Sequence, residues 1–248
     1  MKAIKKAVLA SAVALALTGS AYASPINIGG VVWDPSSPQD FSGVSATLTQ
    51  TINPSTGELS GFGVITTING QPASSFCPGC ELTVRYSGYT PLGGVAVPGT
   101  GGGGTAISYQ GGVVNVYVDH TPDANPSDPL QLTVANTTDG DLWLSLVGHA
   151  VNGVTLTGYN FFPSFLLGNG LWDVVGGLAQ GNLDTNSKAD GSDLTFSNSF
   201  TAFPTNSPLL ATGSGNFNGN SIPEPGSLAL AGLGLLGAAA LRRRNKAK

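Results

Sequence analysis

Short stretches that alternate apolar and polar residues recur through the central part of this 248-residue chain. A period of two places one face of a stretch in a core and the other in solvent, which is typical of a half-buried β-strand. Strong helix formers are scarce in this part of the chain, whereas Gly, Ser, Thr, Asn and Val are common. Eight stretches follow the pattern: residues 44–50, 59–68, 81–89, 112–119, 130–135, 142–147, 154–159 and 194–203.

Turn dipeptides separate several of these stretches, namely Asn69-Gly70, Asp139-Gly140 and Asn152-Gly153. Many short strands at near-regular spacing predict an all-β body, an antiparallel β-sandwich of jelly-roll type. We place this body at residues 24–211. Residues 212–222 are rich in Gly and Asn and predict a flexible linker.

Charge is distributed very unevenly. Only Arg85 and Lys188 among the ten basic residues lie between residues 24 and 220, against thirteen of the fourteen acidic residues. The body therefore carries a formal net charge of −11. Such a surface repels nucleic acid and anionic lipid headgroups and suits the binding of cations.

The N-terminus has the features of a secretory signal peptide. Three lysines precede an apolar stretch over residues 7–17, and the small-residue motif Ala21-Tyr22-Ala23 follows. This predicts a signal helix over residues 1–23, export by the Sec machinery, and cleavage between Ala23 and Ser24.

The C-terminus carries a second membrane signal over residues 223–248. The triplet Pro223-Glu224-Pro225 leads into an apolar run at residues 228–241, and basic residues close the chain, beginning with Arg242, Arg243 and Arg244. The run predicts a transmembrane helix whose basic end stays in the cytoplasm. At about 1.5 Å per residue this helix is shorter than the roughly 30 Å hydrocarbon core, which suits a transient tether.

The order and spacing of these three C-terminal elements resemble the PEP-CTERM sorting signal of Gram-negative bacteria. The resemblance implies that the tail tethers an exported protein to the inner membrane until an exosortase cuts near the triplet. It also implies a final location at the cell surface or outside the cell, in bacteria that make exopolysaccharide. The segments at Trp33-Asp34-Pro35, Phe76-Cys77-Pro78-Gly79-Cys80 and Asn182-Leu183-Asp184-Thr185-Asn186 are similar to members linked to flocculation.

Cys77 and Cys80 are the only cysteines in the chain. In an oxidising compartment, a pair across a Pro-Gly turn predicts a local disulfide. The alternative is a thioredoxin-like redox motif, which requires a helix N-terminus at the first thiol. The residues that follow Cys80 have the pattern of a strand, which favours the disulfide.

Two loops concentrate carboxylates, and oxygen ligands on loops suit Ca²⁺. Neither loop matches the EF-hand pattern, and solvated turns are the simpler interpretation, because Asp and Asn favour turns. We therefore expect no obligatory cofactor and keep calcium as an alternative. Its candidate ligands are Asp119, Asp123 and Asp128 on the first loop and Asp184, Asp190 and Asp193 on the second.

Sequence motifs of catalysis are missing around His120 and His149, so we expect no enzymatic activity. A hydrolase with carboxylates paired in space stays open as an alternative. Trp33, Trp143 and Trp172 would suit a sugar-binding platform, although buried tryptophans are the more frequent outcome in a sandwich.

The sequence thus leads to three functional hypotheses. The first is a non-enzymatic surface or matrix protein with a structural or adhesive role in biofilm or floc. The second is a carbohydrate-binding module that calcium would assist, with exopolysaccharide as the partner. The third is a secreted hydrolase.

Overall fold

The computed structural model describes residues 24–97, 104–161, 165–202 and 209–222. Residues Pro25–Glu224 form one compact unit. The predicted signal helix over residues 1–23 and the predicted membrane helix within residues 223–248 lie outside the described residues. In the part of the chain that the structure describes, no helix is long and apolar enough to cross a membrane.

Antiparallel strands make up most of the described body, which confirms the predicted all-β class. The strands are β1 (Ile26–Ile28), β2 (Val31–Trp33), β3 (Phe41–Ile52), β4 (Leu59–Val64), β5 (Thr67–Ile68), β6 (Gln71–Pro72), β7 (Glu81–Val97), β8 (Gly104–Asp119), β9 (Asp141–Gly148), β10 (Leu156–Phe161), β11 (Phe165–Gly176), β12 (Leu194–Ala202) and β13 (Leu209–Gly219). The helical elements are α1 (Ala73–Phe76), α2 (Gln180–Leu183) and a 3₁₀ turn at Pro129–Gln131.

The main sheet closes on itself, because its last strand β13 pairs with β3 along almost its whole length. The ring runs β3-β4-β7-β8-β10-β11-β12-β13, so its strands follow one another in chain order up to the closing pair β13–β3, and β5, β6 and β9 lie off this path. This connectivity is an up-and-down meander, whereas a jelly roll places strands that are distant in sequence side by side. Hairpin-sized connections between most strands favour the meander.

Strands β9 and β10 share one position in the ring. Both pair with β8 and β11, β9 near one end of these strands and β10 near the other. Residues 149–155 interrupt them with a small excursion, in which Asn152 and Gly153 have φ angles of 53° and 82°. Those angles match the predicted Asn-Gly turn, since both central residues of a type I′ turn have positive φ.

Large apolar side chains fill the interior of the closed sheet. Trp33, Phe41 and Trp143 pack edge to face or tilted at one end, with ring centroids 5.5–6.1 Å apart. Trp172 stacks on Phe196 further along, at 4.4 Å. A cavity of only about 50 Å³ is left among these side chains. Ligands larger than a few water molecules must therefore bind at the outer surface.

The connection between β8 and β9, residues 120–140, lies across the outer face of the sheet and is called the strap below. Ala124 and Leu132 of the strap are buried against Val64 and Phe62. The buried Thr83 hydroxyl also donates to the carbonyl oxygen of Thr137, at 2.9 Å. The predicted strand at residues 130–135 is therefore wrong, because these residues form the 3₁₀ turn and the coil of the strap.

The predicted flexible linker at residues 212–222 also needs correction. Residues 212–219 belong to β13, which lies between β12 and β3 and closes the sheet. Glycines such as Gly213 and Gly215 look like linker residues in the sequence. In the sheet they lie where a Cβ atom would come within 2.0 Å and 2.8 Å of the neighbouring strands, so close packing requires glycine there.

Candidate functional site

The end of the body is fixed to the sheet immediately before the sorting triplet. The backbone N–H and the hydroxyl of the buried Ser221 donate to the two carboxylate oxygens of Asp40, at 2.8 and 2.6 Å. Ile222 and Asn182 exchange hydrogen bonds of 2.7 and 3.0 Å. The sorting triplet therefore follows directly on an anchored backbone.

The predicted sorting residues themselves lie beyond this anchor. Pro223, Glu224, Pro225 and Arg242–Arg244 are outside the described residues, as is Ala23 at the predicted signal-peptide cleavage site. Ser24, the predicted first residue of the mature chain, is exposed.

Cys77 and Cys80 lie at disulfide distance, with their Cα atoms 5.1 Å apart, as the sequence predicts. The pair spans the turn between α1 and β7, and Gly79 in that turn has a φ of 83°. Both cysteines are buried, at 1% and 7% exposure. A buried pair followed by a strand fits a structural role and not an accessible redox motif.

The first acidic loop brings two of its three candidate ligands together and adds one that the sequence analysis missed. Glu81 at the start of β7, Asp119 at the end of β8 and Asp123 in the strap each place a carboxylate oxygen within 4.8 Å of the others. Asp128 is instead occupied in capping the 3₁₀ turn, where it accepts from the Leu130 N–H at 3.1 Å. We refer to Glu81, Asp119 and Asp123 as the acidic cluster.

Two members of the acidic cluster are deeply buried, Glu81 at 7% and Asp119 at 8% exposure. Glu81 Oε1 accepts the backbone N–H groups of Asp123 and Ala124, both at 3.1 Å. Burial raises the pKa of Glu81, and the neighbouring Asp119 and Asp123 carboxylates raise it further. The pairing of Glu81 with Asp119 across the β7–β8 ladder was hidden in the sequence, because it depends on strand register.

The second acidic loop does not gather its carboxylates around a common point. Asp193 is buried and accepts the N–H groups of Val174, Thr185 and Asn186 at 2.5–2.7 Å. Asp190 accepts from the N–H and hydroxyl of Ser192, and Asp184 accepts from the side chain of Asn186. These three carboxylates therefore stabilise their own loop, as the interpretation of the loop as a set of turns predicts.

The two histidines have different surroundings. His149 Nδ1 lies 2.8 Å from a carboxylate oxygen of Asp173, and both side chains are partly exposed. His120 is exposed at the start of the strap.

The three tryptophans are core residues. Trp33, Trp143 and Trp172 are exposed by 2%, 1% and 5%. The indole N–H of Trp143 donates to the carbonyl oxygen of Ile28, at 3.0 Å. A sugar platform built from these rings is therefore excluded in the folded body.

A groove of about 580 Å³ instead runs over the outer face of β10–β13. A row of uncharged polar residues crosses it, each directly opposite the next: Thr157, Asn169, Ser197 and Asn216. A second row passes through Leu171, Thr195 and Asn218. None of the residues that line the groove is charged.

One comparison with known proteins gives a match. The family model of the PEP-CTERM protein-sorting motif matches residues 221–244. No curated protein and no solved structure matches the chain. The match begins at Ser221, so the motif overlaps the residues that Asp40 and Asn182 anchor.

A folded β-body that continues without a linker into a sorting motif defines an exported protein that crosses a membrane and ends at the cell surface. Within that class, the chain carries a PEP-CTERM protein-sorting motif, which indicates sorting by an exosortase.

Proposed function

We propose that the body is a non-enzymatic component of the cell surface or extracellular matrix, with a structural or adhesive role in biofilm or floc formation. The sorting motif at residues 221–244 supports this proposal, because it delivers the body to the surface. In the proposed route, the tail tethers the protein to the inner membrane until the exosortase releases it.

The properties of the body agree with such a role. Its interior is filled, so its outer surface is what other matrix components contact. Its net charge of −11 keeps it soluble and apart from nucleic acid and anionic lipid.

Deletion of the gene tests this proposal in the cells that produce the protein. We expect biofilm mass or floc size to fall and to recover when the full chain is restored. A chain with Pro223-Glu224-Pro225 replaced by Ala-Ala-Ala should not restore it, since that change removes the recognised triplet. Unchanged biofilm and floc in the deletion strain would contradict a structural role.

A second candidate function is the binding of a neutral polysaccharide in the groove over β10–β13. Hydroxyl and amide side chains at Thr157, Asn169, Ser197 and Asn216 can exchange hydrogen bonds with sugar hydroxyls. The lining of the groove holds no acidic residue, which stands out in a strongly acidic body, and a cation that contacts it, Lys188, donates to Asn218. The uncharged lining favours an uncharged ligand.

Affinity electrophoresis through gels that contain the cells' own exopolysaccharide tests this second function. Retardation of the body should be lost in Asn169→Ala and Asn216→Ala, both exposed groove residues. Gln110→Ala removes an exposed amide of β8 outside the groove and serves as the matched control. Equal retardation of all three variants and the wild type would exclude the groove as the binding site.

A further inference from the structure

We propose that Glu81, Asp119 and Asp123 form a binding site for a divalent cation, and that Ca²⁺ is the ion that fits it. The three side chains come from β7, from β8 and from the strap, and their carboxylate oxygens lie within 4.8 Å of one another. Glu81 and Asp119 are directly opposite each other in the β7–β8 ladder. Like charges directly opposite each other destabilise a sheet. A cation between the two carboxylates would remove this repulsion.

The hydrogen bonds of Asp119 give independent evidence for a ligand. Its Oδ1 accepts the N–H and the hydroxyl of Thr121, at 2.9 and 2.8 Å. Its Oδ2 is buried and accepts no hydrogen bond from the described residues. Buried carboxylate oxygens normally have partners, and a cation between the three side chains would supply the one that Oδ2 lacks.

No described Lys or Arg side chain neutralises the acidic cluster. Neither Arg85 nor Lys188 forms an ion pair with it within the part of the chain that the structure describes. Arg85 lies over the ring of Phe62, at 5.7 Å, and Lys188 donates to Asn218. The two N–H groups that reach Glu81 Oε1 offset only part of the negative charge.

The donor set favours calcium over other divalent ions. It consists of carboxylate oxygens, which hard cations prefer, whereas zinc sites in proteins generally include His or Cys ligands. Calcium also accepts irregular geometry and takes further oxygens from backbone carbonyls and water. Extracellular calcium modules bind with dissociation constants of about 10⁻⁴–10⁻³ M, which suits an exported protein.

The position of the cluster gives the ion a structural consequence. Asp123 is in the strap, whereas Glu81 and Asp119 belong to the sheet beneath it. An ion bound to all three would fasten the start of the strap to the outer face of β7 and β8. Calcium would then stabilise the exported body against unfolding and slow hydrogen exchange at the start of the strap.

Titration of the purified exported protein with CaCl₂ after EDTA treatment tests the proposal. Isothermal titration calorimetry should show one saturable site. At about 100 times the dissociation constant, the thermal unfolding midpoint should rise by about 5 °C or more. Hydrogen exchange at the amides of Asp123 and Ala124 should slow when calcium is added, because both donate to Glu81.

Asp119→Asn and Glu81→Gln keep the shape of these side chains but remove one charge each and replace one of the two carboxylate oxygens by an NH2 group. Each should weaken calcium binding at least about tenfold, since calcium affinity depends on the number of charged ligands. Asp139→Asn makes the same charge change at an exposed residue of the strap and should leave the affinity unchanged.

Two results would overturn the proposal. One is a wild-type protein whose unfolding midpoint and exchange at Asp123 and Ala124 do not respond to about 10 mM Ca²⁺, a concentration above the range of extracellular calcium modules. The other is a calcium affinity that is equal in the wild type, Asp119→Asn and Asp139→Asn.

Discussion

Tyr89 is a buried tyrosine, 3% exposed, whose hydroxyl accepts a hydrogen bond from the indole N–H of Trp172 at 2.8 Å. Gly112, opposite its ring, has a φ of 94° and no room for a Cβ atom, which would lie 2.2 Å from the ring. Burial raises the pKa of Tyr89 to about 12 from an ordinary value of 10.0, and the bond from Trp172 opposes part of this shift. One side chain thus links core packing to the alkaline stability of the protein.

Replacement of Tyr89 by Phe should lower the stability at neutral pH but reduce the further loss of stability at alkaline pH. At pH 7 the free energy of unfolding should fall by about 1–3 kcal/mol, because the buried indole N–H of Trp172 loses its acceptor. A tyrosine with a raised folded pKa contributes stability that is complete below pH 10 and is lost as the pH rises through about 12. Tyr89→Phe should therefore lose less stability over this interval than the wild type.

Urea unfolding at pH 7, 10 and 11.5 measures this difference. Burial also raises the pKa of Tyr86. Both proteins contain Tyr86, so both should still lose some stability at alkaline pH. Stability curves that run parallel for the wild type and Tyr89→Phe would show that Tyr89 does not contribute to the decline.

At the scale of elements, the pairing of β3 with β13 closes the sheet. Gly43 of β3 is directly opposite Phe217 of β13. A Cβ atom at residue 43 would lie 2.1 Å from the Phe217 ring, so the ring covers the glycine. Phe217 also packs on Phe41, with ring centroids 5.6 Å apart. The closure of the sheet thus depends on Gly43, which has no side chain, facing the large ring of Phe217.

Gly43→Ala should lower the free energy of unfolding by about 1–3 kcal/mol, as expected for overpacking. Adding Phe217→Leu should restore part of this loss, because the two residues are coupled. Gly181→Ala is the matched control, since an added Cβ there meets nothing within 4 Å, and its stability should be unchanged or slightly higher. Chemical denaturation measures all four proteins, and a neutral Gly43→Ala would mean that Phe217 moves away freely.

At the scale of the whole molecule, the folded body and the sorting motif share residues. The motif begins at Ser221, which Asp40 binds through two hydrogen bonds. A cut near Pro225 would leave these bonds intact, so release from the membrane does not require the body to unfold.

Mass spectrometry of the surface protein should therefore find Ser24 at its N-terminus and a C-terminus near Pro225, without Arg242–Arg244. Replacement of Pro223-Glu224-Pro225 by alanines should leave the chain tethered and complete to Lys248. Surface protein that ends at Lys248 in wild-type cells with an exosortase would contradict cleavage near Pro225 and would indicate that the tail is only a membrane anchor.

Local patterns determined the β class, most of the strands and the sorting motif at the C-terminal end. Alternation of period two is a property of each strand by itself, so residues 81–89 and 142–147 were predicted correctly as parts of β7 and β9. The Asn69-Gly70 turn has the expected positive φ angles of 50° and 73°. The sorting motif is read in the same way, because its three elements are contiguous in sequence.

Tertiary structure decided the features that depend on pairing between distant residues. The closing strand β13 looks like a linker in sequence, because the side chains that give it a place in the sheet belong to β3 and β12. Glu81 meets Asp119 only through the register of β7 and β8, whereas Asp193 accepts backbone N–H groups from across its own loop. Sequence determines which groups are available, and the long-range register determines which of them meet, because a shift of one residue would turn each side chain to the opposite face.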